Sequence, residues 1–254
     1  MEPSHRIALI TGGSRGIGAA TTIALAERGF DVVLTYRNKV ARAEEVIAEA
    51  TLRDVRTLAI RSDITRQNER DQLFAMVRAW GGRLDVLVLN ASGGLERDLL
   101  AVDPAYPMHI NRDAQVELLN AALPLMHPGS VVAFITSHWA HLYGQVDQIP
   151  TYAPVAESKY AGEQALRARL PELDKRGIRL VVITGDLIEG TITPKLLERA
   201  EPGLTGQRQA SVGKLPTAEE MGEAIAAAAV DNTLPSGHTV VIGASLDQML
   251  HNKS

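Results

Sequence analysis

The amino-acid sequence predicts a three-layer αβα domain, a doubly wound parallel sheet with helices on both faces. Short runs dominated by Val, Ile and Leu alternate with longer segments of helical period, and a glycine-rich turn joins the first run to the first helix. Strands this apolar suit a sheet buried on both faces, as right-handed strand–helix–strand crossovers produce.

Strand 6-RIALIT-11 leads through the glycines into a helix over about 16–28. Strand 31-DVVLTY-36 is followed by a helix over 40-VARAEEVIAEA-50, whose charges form a solvated face. After strand 55-VRTLAI-60, Thr65 is expected to cap the helix carrying 73-LFAMVRAW-80. Strands 84-LDVLVL-89, 130-SVVAFIT-136, 178-IRLVVIT-184 and 238-HTVVIG-243 follow, linked by helices over 111–127, 154–170 and 217–230. The weakest pattern lies in 186–216, where Gly190, Pro194, Pro202, Gly203, Gly206 and Gly213 suggest a flexible substrate loop or an irregular connection.

The chain has 254 residues, 45% of them apolar and 22% charged, with a net charge of -4. This suits a single-domain soluble α/β protein and lacks the basic footprint of a nucleic-acid binder. The absence of cysteine excludes disulfides, thiolate nucleophiles and zinc–sulfur sites, and fits a reducing compartment. The stretch 1-MEPSHRIALITGG-13 has no signal-peptide core, and no run approaches the ~20 apolar residues of a membrane helix. The expected setting is cytoplasmic, with a small-molecule partner and neither nucleic acid nor membrane.

The turn 11-TGGSRGIG-18 sets glycine at 12, 16 and 18, with Ser14, Arg15 and Ile17 among them. Gly12, Gly16 and Gly18 allow a tight turn, a close backbone approach to a pyrophosphate and packing of the helix on the sheet. A Rossmann-type dinucleotide site is the direct reading. The same residues, 12-GGSRG-16, also fit a nucleophile elbow, which would make Ser14 the nucleophile of a serine hydrolase. Elbows follow several strands, however, and this turn follows the first. Beyond the second strand, 35-TYRNK-39 carries no carboxylate to meet a ribose 2′-hydroxyl. Arg15 and Arg37 suit a 2′-phosphate, so NADP(H) is favoured over NAD(H), the alternative being that both are solvated surface residues.

With TGGSRGIG in place, the chain resembles the short-chain dehydrogenase/reductase family nearly end to end. The resemblance implies an NAD(P)-dependent oxidoreductase and assigns residues to it. Asp63 and Ile64 in 62-SDIT-65 would contact the adenine, and Asn90, Ala91 and Ser92 in 90-NASGG-94 would line the cofactor. Asn111 would support a proton relay through water, Ser137 would orient the substrate oxygen, and Lys159 would bind the ribose. The segment 185-GDLIEGT-191 would hold the nicotinamide carboxamide through Ile188 and Thr191, with Thr184 replacing the family's proline.

One residue breaks the pattern. The family's tyrosine stands four residues before the lysine, where its hydroxyl meets the ammonium; that position here is Val155. A smaller branch, the bacterial enoyl-thioester reductases, carries tyrosine seven residues before lysine, two turns along nearly the same face. Tyr152 and Lys159 have that spacing, and Pro154 suits a first helical turn, leaving Tyr152 just outside the helix at the cleft rim. The stretch from Ser137 to Tyr152 is long and works against their contact. Tyr143 and Tyr160 are the other candidate phenols.

The expected reaction is hydride transfer from NADPH to a carbonyl or a conjugated enoyl substrate, such as an acyl thioester. Val155 also allows a cofactor-binding sensor or pseudoenzyme without catalysis. His138 and His141, beside Trp139, have no third ligand nearby, so no metal is expected. The resemblance further implies a homodimer or homotetramer paired through helices 111–127 and 154–170.

Overall fold

A computed structural model describes residues 6–251; the first five residues of the amino-terminal stretch read above lie outside the described residues. Strands Ile7–Ile10 (β1), Asp31–Tyr36 (β2), Thr57–Arg61 (β3), Leu84–Leu89 (β4), Met126–Ser137 (β5), Arg179–Gly185 (β6) and Thr239–Ile242 (β7) form one sheet in the order β3-β2-β1-β4-β5-β6-β7. Every pairing is parallel. The helices are Gly16–Ala26 (α1), Val40–Thr51 (α2), Gln67–Gly81 (α3), Arg97–Val102 (α4), Tyr106–Met108 (α5), Ala114–Ala122 (α6) and His138–His141 (α7). Ala153–Arg167 (α8), Leu170–Lys175 (α9), Ile192–Ala200 (α10), Leu204–Val212 (α11), Ala218–Val230 (α12) and Leu246–His251 (α13) follow.

Two apolar layers separate the sheet from its helices. Leu73 and Phe74 of α3, Leu118 and Leu119 of α6, and Leu166 of α8 pack on one face with Leu87 and Phe134. Ala24 and Leu25 of α1 and Met221 and Ile225 of α12 pack on the other with Val86 and Ala133. The predicted three-layer fold is therefore the observed one.

Four sequence expectations change. β3 starts late because the Arg56 backbone N–H donates 2.8 Å to the Asp31 carboxylate rather than to a neighbouring strand. Thr65 caps nothing: its hydroxyl donates 2.7 Å to Asp63 Oδ1, and α3 begins two residues later, behind the extended Arg66. The helix expected over 111–127 ends at Ala122, because Met126 is drawn into pairing with Leu84; it is preceded by a π-helical turn, His109–Asp113. The segment 186–216, expected to be without regular structure, contains α10 and α11.

The π turn bears on the site because it carries Asn111. Gly162 of α8 lies against it so closely that a Cβ there would come 2.1 Å from the Asn111 carbonyl oxygen. Glycine at 162 is what lets the two segments touch. The chain leaves β1 and β4, neighbours in the sheet, toward opposite sides, so a crevice opens at their carboxyl ends, where doubly wound sheets bind ligands.

Candidate active site

The crevice floor is the glycine turn. Gly12 and Gly16 have positive φ (66° and 52°), and a Cβ on Gly18 would stand 2.4 Å from the Gly12 oxygen. Asn90 ties this turn to β4, donating to the Thr11 and Gly12 carbonyls at 2.9 and 3.3 Å, while the Thr11 hydroxyl accepts the Asn90 and Ala91 N–H groups. Arg15 ends the turn without a side-chain cap, and the first turn of α1 holds no acidic residue, so its N–H groups remain available to an anion. A Cβ on Gly16 would meet nothing nearer than Thr191 Cγ2, at 3.5 Å, so the turn and the start of α10 face one another. These features fit a dinucleotide pyrophosphate.

Beside the floor lies a cavity of about 270 Å³. It brings together Arg15, Ile17, Asn90, Ser92, Ser137, Tyr152, Lys159, Ile188 and Thr191 of the residues singled out in the sequence. Its polar wall is the end of β5. The rest of its lining is largely apolar, with Leu95, Trp139, Ile149 and Val155 joined by Ile192, Pro194, Leu196 and Leu197 of α10. Val155, at the family's tyrosine position, is 3% exposed and packed among Trp139, Tyr152, Leu187 and Leu197.

Tyr152 reaches Ser137 despite their separation in sequence. The intervening residues fold as α7 and a following turn that doubles back, and Tyr152 caps α8 with its carbonyl accepting the Ala156 N–H at 2.9 Å. The Tyr152 hydroxyl then donates 3.1 Å to Ser137 Oγ. Rather than standing at the cleft rim, Tyr152 is 6% exposed. Ser137 Oγ also accepts the Ala140 N–H at 3.2 Å, so both lone pairs are engaged and its own proton is free to point at a ligand. Lys159 Nζ donates 3.0 Å to the Ile135 carbonyl, two residues earlier on the same strand. The ammonium has three N–H bonds and one acceptor among the described residues, which suits vicinal ribose hydroxyls.

Burial governs both titrating groups. It pushes the Tyr152 phenol up to about 12, opposed by the Ser137 hydrogen bond, and pushes the Lys159 ammonium down to about 8. Neither is shifted by the other, so the ammonium does not lower the phenol in this geometry; Tyr152 is a tightly held donor. For Lys159 the linkage runs in one direction. The unfolded chain keeps its proton to a higher pH than the folded one, so stability rises from about pH 8 to 10.5 and is lost again as pH falls. Between pH 7.5 and 9.5 the cofactor-free protein is expected to gain about 2 kcal/mol relative to Lys159→Met. Urea unfolding of both at the two pH values measures this; parallel pH dependences would refute it.

Other predicted residues lie elsewhere. Asn111 is 2% exposed, with its amide engaged by the Gly93 carbonyl (2.9 Å) and Ser158 Oγ (3.0 Å); it braces the 90–94 segment rather than lining the cavity. Ile64 is a core residue, and Asp63 holds Thr65. Arg37 donates 2.7 Å to the Tyr106 hydroxyl. Ser14 has no histidine hydrogen-bonded to it among the described residues, as a serine nucleophile would need. Tyr143 and Tyr160 pair with each other, ring centroids 5.9 Å apart, and neither lines the cavity. His138 bonds Thr184 and His141 bonds Glu163, so the two histidines have separate partners.

Sequence reasoning missed Asp186 and Arg208. Asp186 lines the cavity with its carboxylate fully buried, held by Arg208 at 2.9 and 2.7 Å, while the guanidinium lies 5.0 Å over the Trp139 ring. This pair fastens α11 to the end of β6. No periodic signal in either segment announces it.

Fold and site together define a doubly wound nucleotide-binding α/β protein with a Ser–Tyr–Lys cleft. A sequence model described as short chain dehydrogenase matches residues 6–201, and the chain belongs to that family. It is 30% identical over 191 residues to 1-cyclohexenylcarbonyl-CoA reductase of Streptomyces collinus, covering 73% of this chain and 65% of that protein. It is 30% identical over 181 residues to hydroxynaphthalene reductase-like protein Arp2 of Metarhizium majus (strain ARSEF 297), covering 70% and 66%. The match thus spans just under two thirds of these relatives' lengths. Among solved structures, a short chain dehydrogenase from Burkholderia cenocepacia J2315 in complex with NADP is 25% identical, with TM-score 0.82 and 96% and 98% of the two chains covered. A blue fluorescent protein from a metagenomic library in complex with NADPH is 27% identical, with TM-score 0.79 and 93% and 95% covered.

Proposed function

We propose that this protein is an NADPH-dependent oxidoreductase that reduces a carbonyl or conjugated enoyl substrate, with an apolar acyl thioester as the best-fitting class. The observation that carries the reading is the hydroxyl pair at the end of β5, Tyr152 donating to Ser137 at the wall of the cavity. When bound, the nicotinamide supplies hydride.

The chain's own residues supply binding and a proton donor. Ser137, both lone pairs engaged, gives its hydrogen to the substrate oxygen as charge develops there, and Tyr152 backs it with the next hydrogen in line. Lys159 holds the ribose, and the N–H groups at the start of α1 hold the pyrophosphate. Thr191 faces that turn and borders the nicotinamide region. The apolar wall from α10 excludes water and accommodates an aliphatic or carbocyclic group, which supports the thioester class along with the similarity to the 1-cyclohexenylcarbonyl-CoA reductase of Streptomyces collinus. In this reading the chain acts as one nucleotide-binding domain, and 186–216 covers the substrate.

Following cofactor oxidation over a panel of enoyl thioesters and ketones tests this. Turnover with NADPH on the thioesters is expected, with ketones slower. Cofactor binding without turnover on any member would favour the sensor reading instead.

A further inference from the structure

We infer that Tyr106 is a positioning residue for cofactor choice: its hydroxyl holds Arg37 in place for the 2′-phosphate of NADP(H). The inference rests on the proposed NADP preference and on Arg37 as the residue that provides it.

Arg37 follows β2, and Tyr106 lies beyond β4, so their 2.7 Å hydrogen bond reaches across the β1 end where the crevice opens. Tyr106 is 7% exposed, belongs to the apolar core, and presses on Gly93, where a Cβ would stand 3.0 Å from its ring. A rigid, buried ring therefore fixes the acceptor. The Arg37 backbone is fixed as well, because its carbonyl accepts the Arg61 Nε–H at 3.2 Å. An arginine side chain free in solvent would lose its rotamer freedom on meeting a phosphate; one already held loses less.

The chemistry of the acceptor matters more. Glu96 and Asp63 lie close enough to Tyr106 to act on it electrostatically, yet neither hydrogen-bonds Arg37. Glu96 Oε2 accepts the Gly94 and Leu95 N–H groups at 2.7 and 3.1 Å, and Asp63 Oδ1 accepts from Thr65. A carboxylate on Arg37 would neutralise it and compete with a phosphate. A neutral phenol oxygen orients the guanidinium through one Nη and leaves its charge and its other N–H groups for bidentate contact with an anion. Tyr106 thereby distinguishes between nucleotides without touching either.

Equilibrium binding separates the possibilities. The Kd values of NADPH and NADH are measured by nucleotide fluorescence, and those of adenosine 2′,5′-bisphosphate and ADP by calorimetry, for the wild type, Tyr106→Phe and Arg37→Ala. Tyr106→Phe keeps the ring and is expected to weaken NADPH and the bisphosphate about fivefold to tenfold, with NADH and ADP unchanged within about twofold. Unchanged NADH binding also shows that the variant is folded. Arg37→Ala is expected to have a larger effect with the same selectivity. If Arg37→Ala is selective while Tyr106→Phe changes nothing or weakens all four ligands alike, the inference fails and the cofactor reading stands. If Arg37→Ala shows no selectivity, the reading of Arg37 falls and takes the inference with it.

Discussion

Tyr152→Phe is expected to lower turnover by about 10² to 10⁴-fold while leaving the NADPH Kd within about twofold. The phenylalanine ring fills the same buried space and removes one hydrogen bond, the 3.1 Å donation to Ser137. Ser137 retains the Ala140 N–H, so α7 keeps its cap and the serine its place. What disappears is the second donor behind the serine. Because burial keeps the phenol protonated up to about 12, the wild-type donor is present throughout the physiological range, and the variant's defect should be flat from pH 6 to 8. Unchanged turnover would remove Tyr152 from the chemistry. Comparable losses of turnover and cofactor affinity would make it a structural residue instead.

Arg208→Ala is expected to destabilise the protein by about 3 kcal/mol, because it leaves a buried carboxylate without its counter-ion. Asp186 would retain the Leu187 N–H at 2.7 Å but lose both guanidinium contacts, and Trp139 would lose the cation above its ring. Beyond the partly buried Leu204 and Val212, few contacts replace them, since α11 has no fully buried residue. Substrate KM should therefore rise as α10, packed against α11, loses its backing, while nucleotide Kd changes little. The double variant Asp186→Asn, Arg208→Met tests the cause, for it removes the charge along with its partner. It should recover most of the stability in urea unfolding; if it is as unstable as the single variant, an unpaired charge is not the reason.

The parts of the fold legible in the sequence are those where burial imposes a period. β2 and β4 appear with the predicted bounds because 31-DVVLTY-36 and 84-LDVLVL-89 are apolar runs in the sheet interior. The glycine turn was legible because its close approaches leave little choice of residue. The candidate site was partly legible: Ser137, Tyr152 and Lys159 line one cavity, although the long stretch from Ser137 to Tyr152 argued against contact between those two. The remaining features depend on contacts distant in sequence. Nothing in 109-HINRD-113 marks a π turn; it is visible only once Gly162 is seen lying against it. Nor could α11 be found from a pattern, since only Leu204 and Val212, at its two ends, pack on the apolar cluster and the Asp186–Arg208 pair fastens its middle. Thr65 misled because a hydroxyl two residues after an aspartate has a nearer acceptor than the helix it precedes.

Tyr152 stands before the first residue of α8, while Lys159 lies inside that helix. The phenol is therefore placed by the junction of connection and helix, which the Tyr152 backbone bonds on both sides, and the amine by the helix itself. In the proposed function, the proton donor and the ribose anchor therefore depend on different parts of the chain, one on that junction and the other on the helix interior.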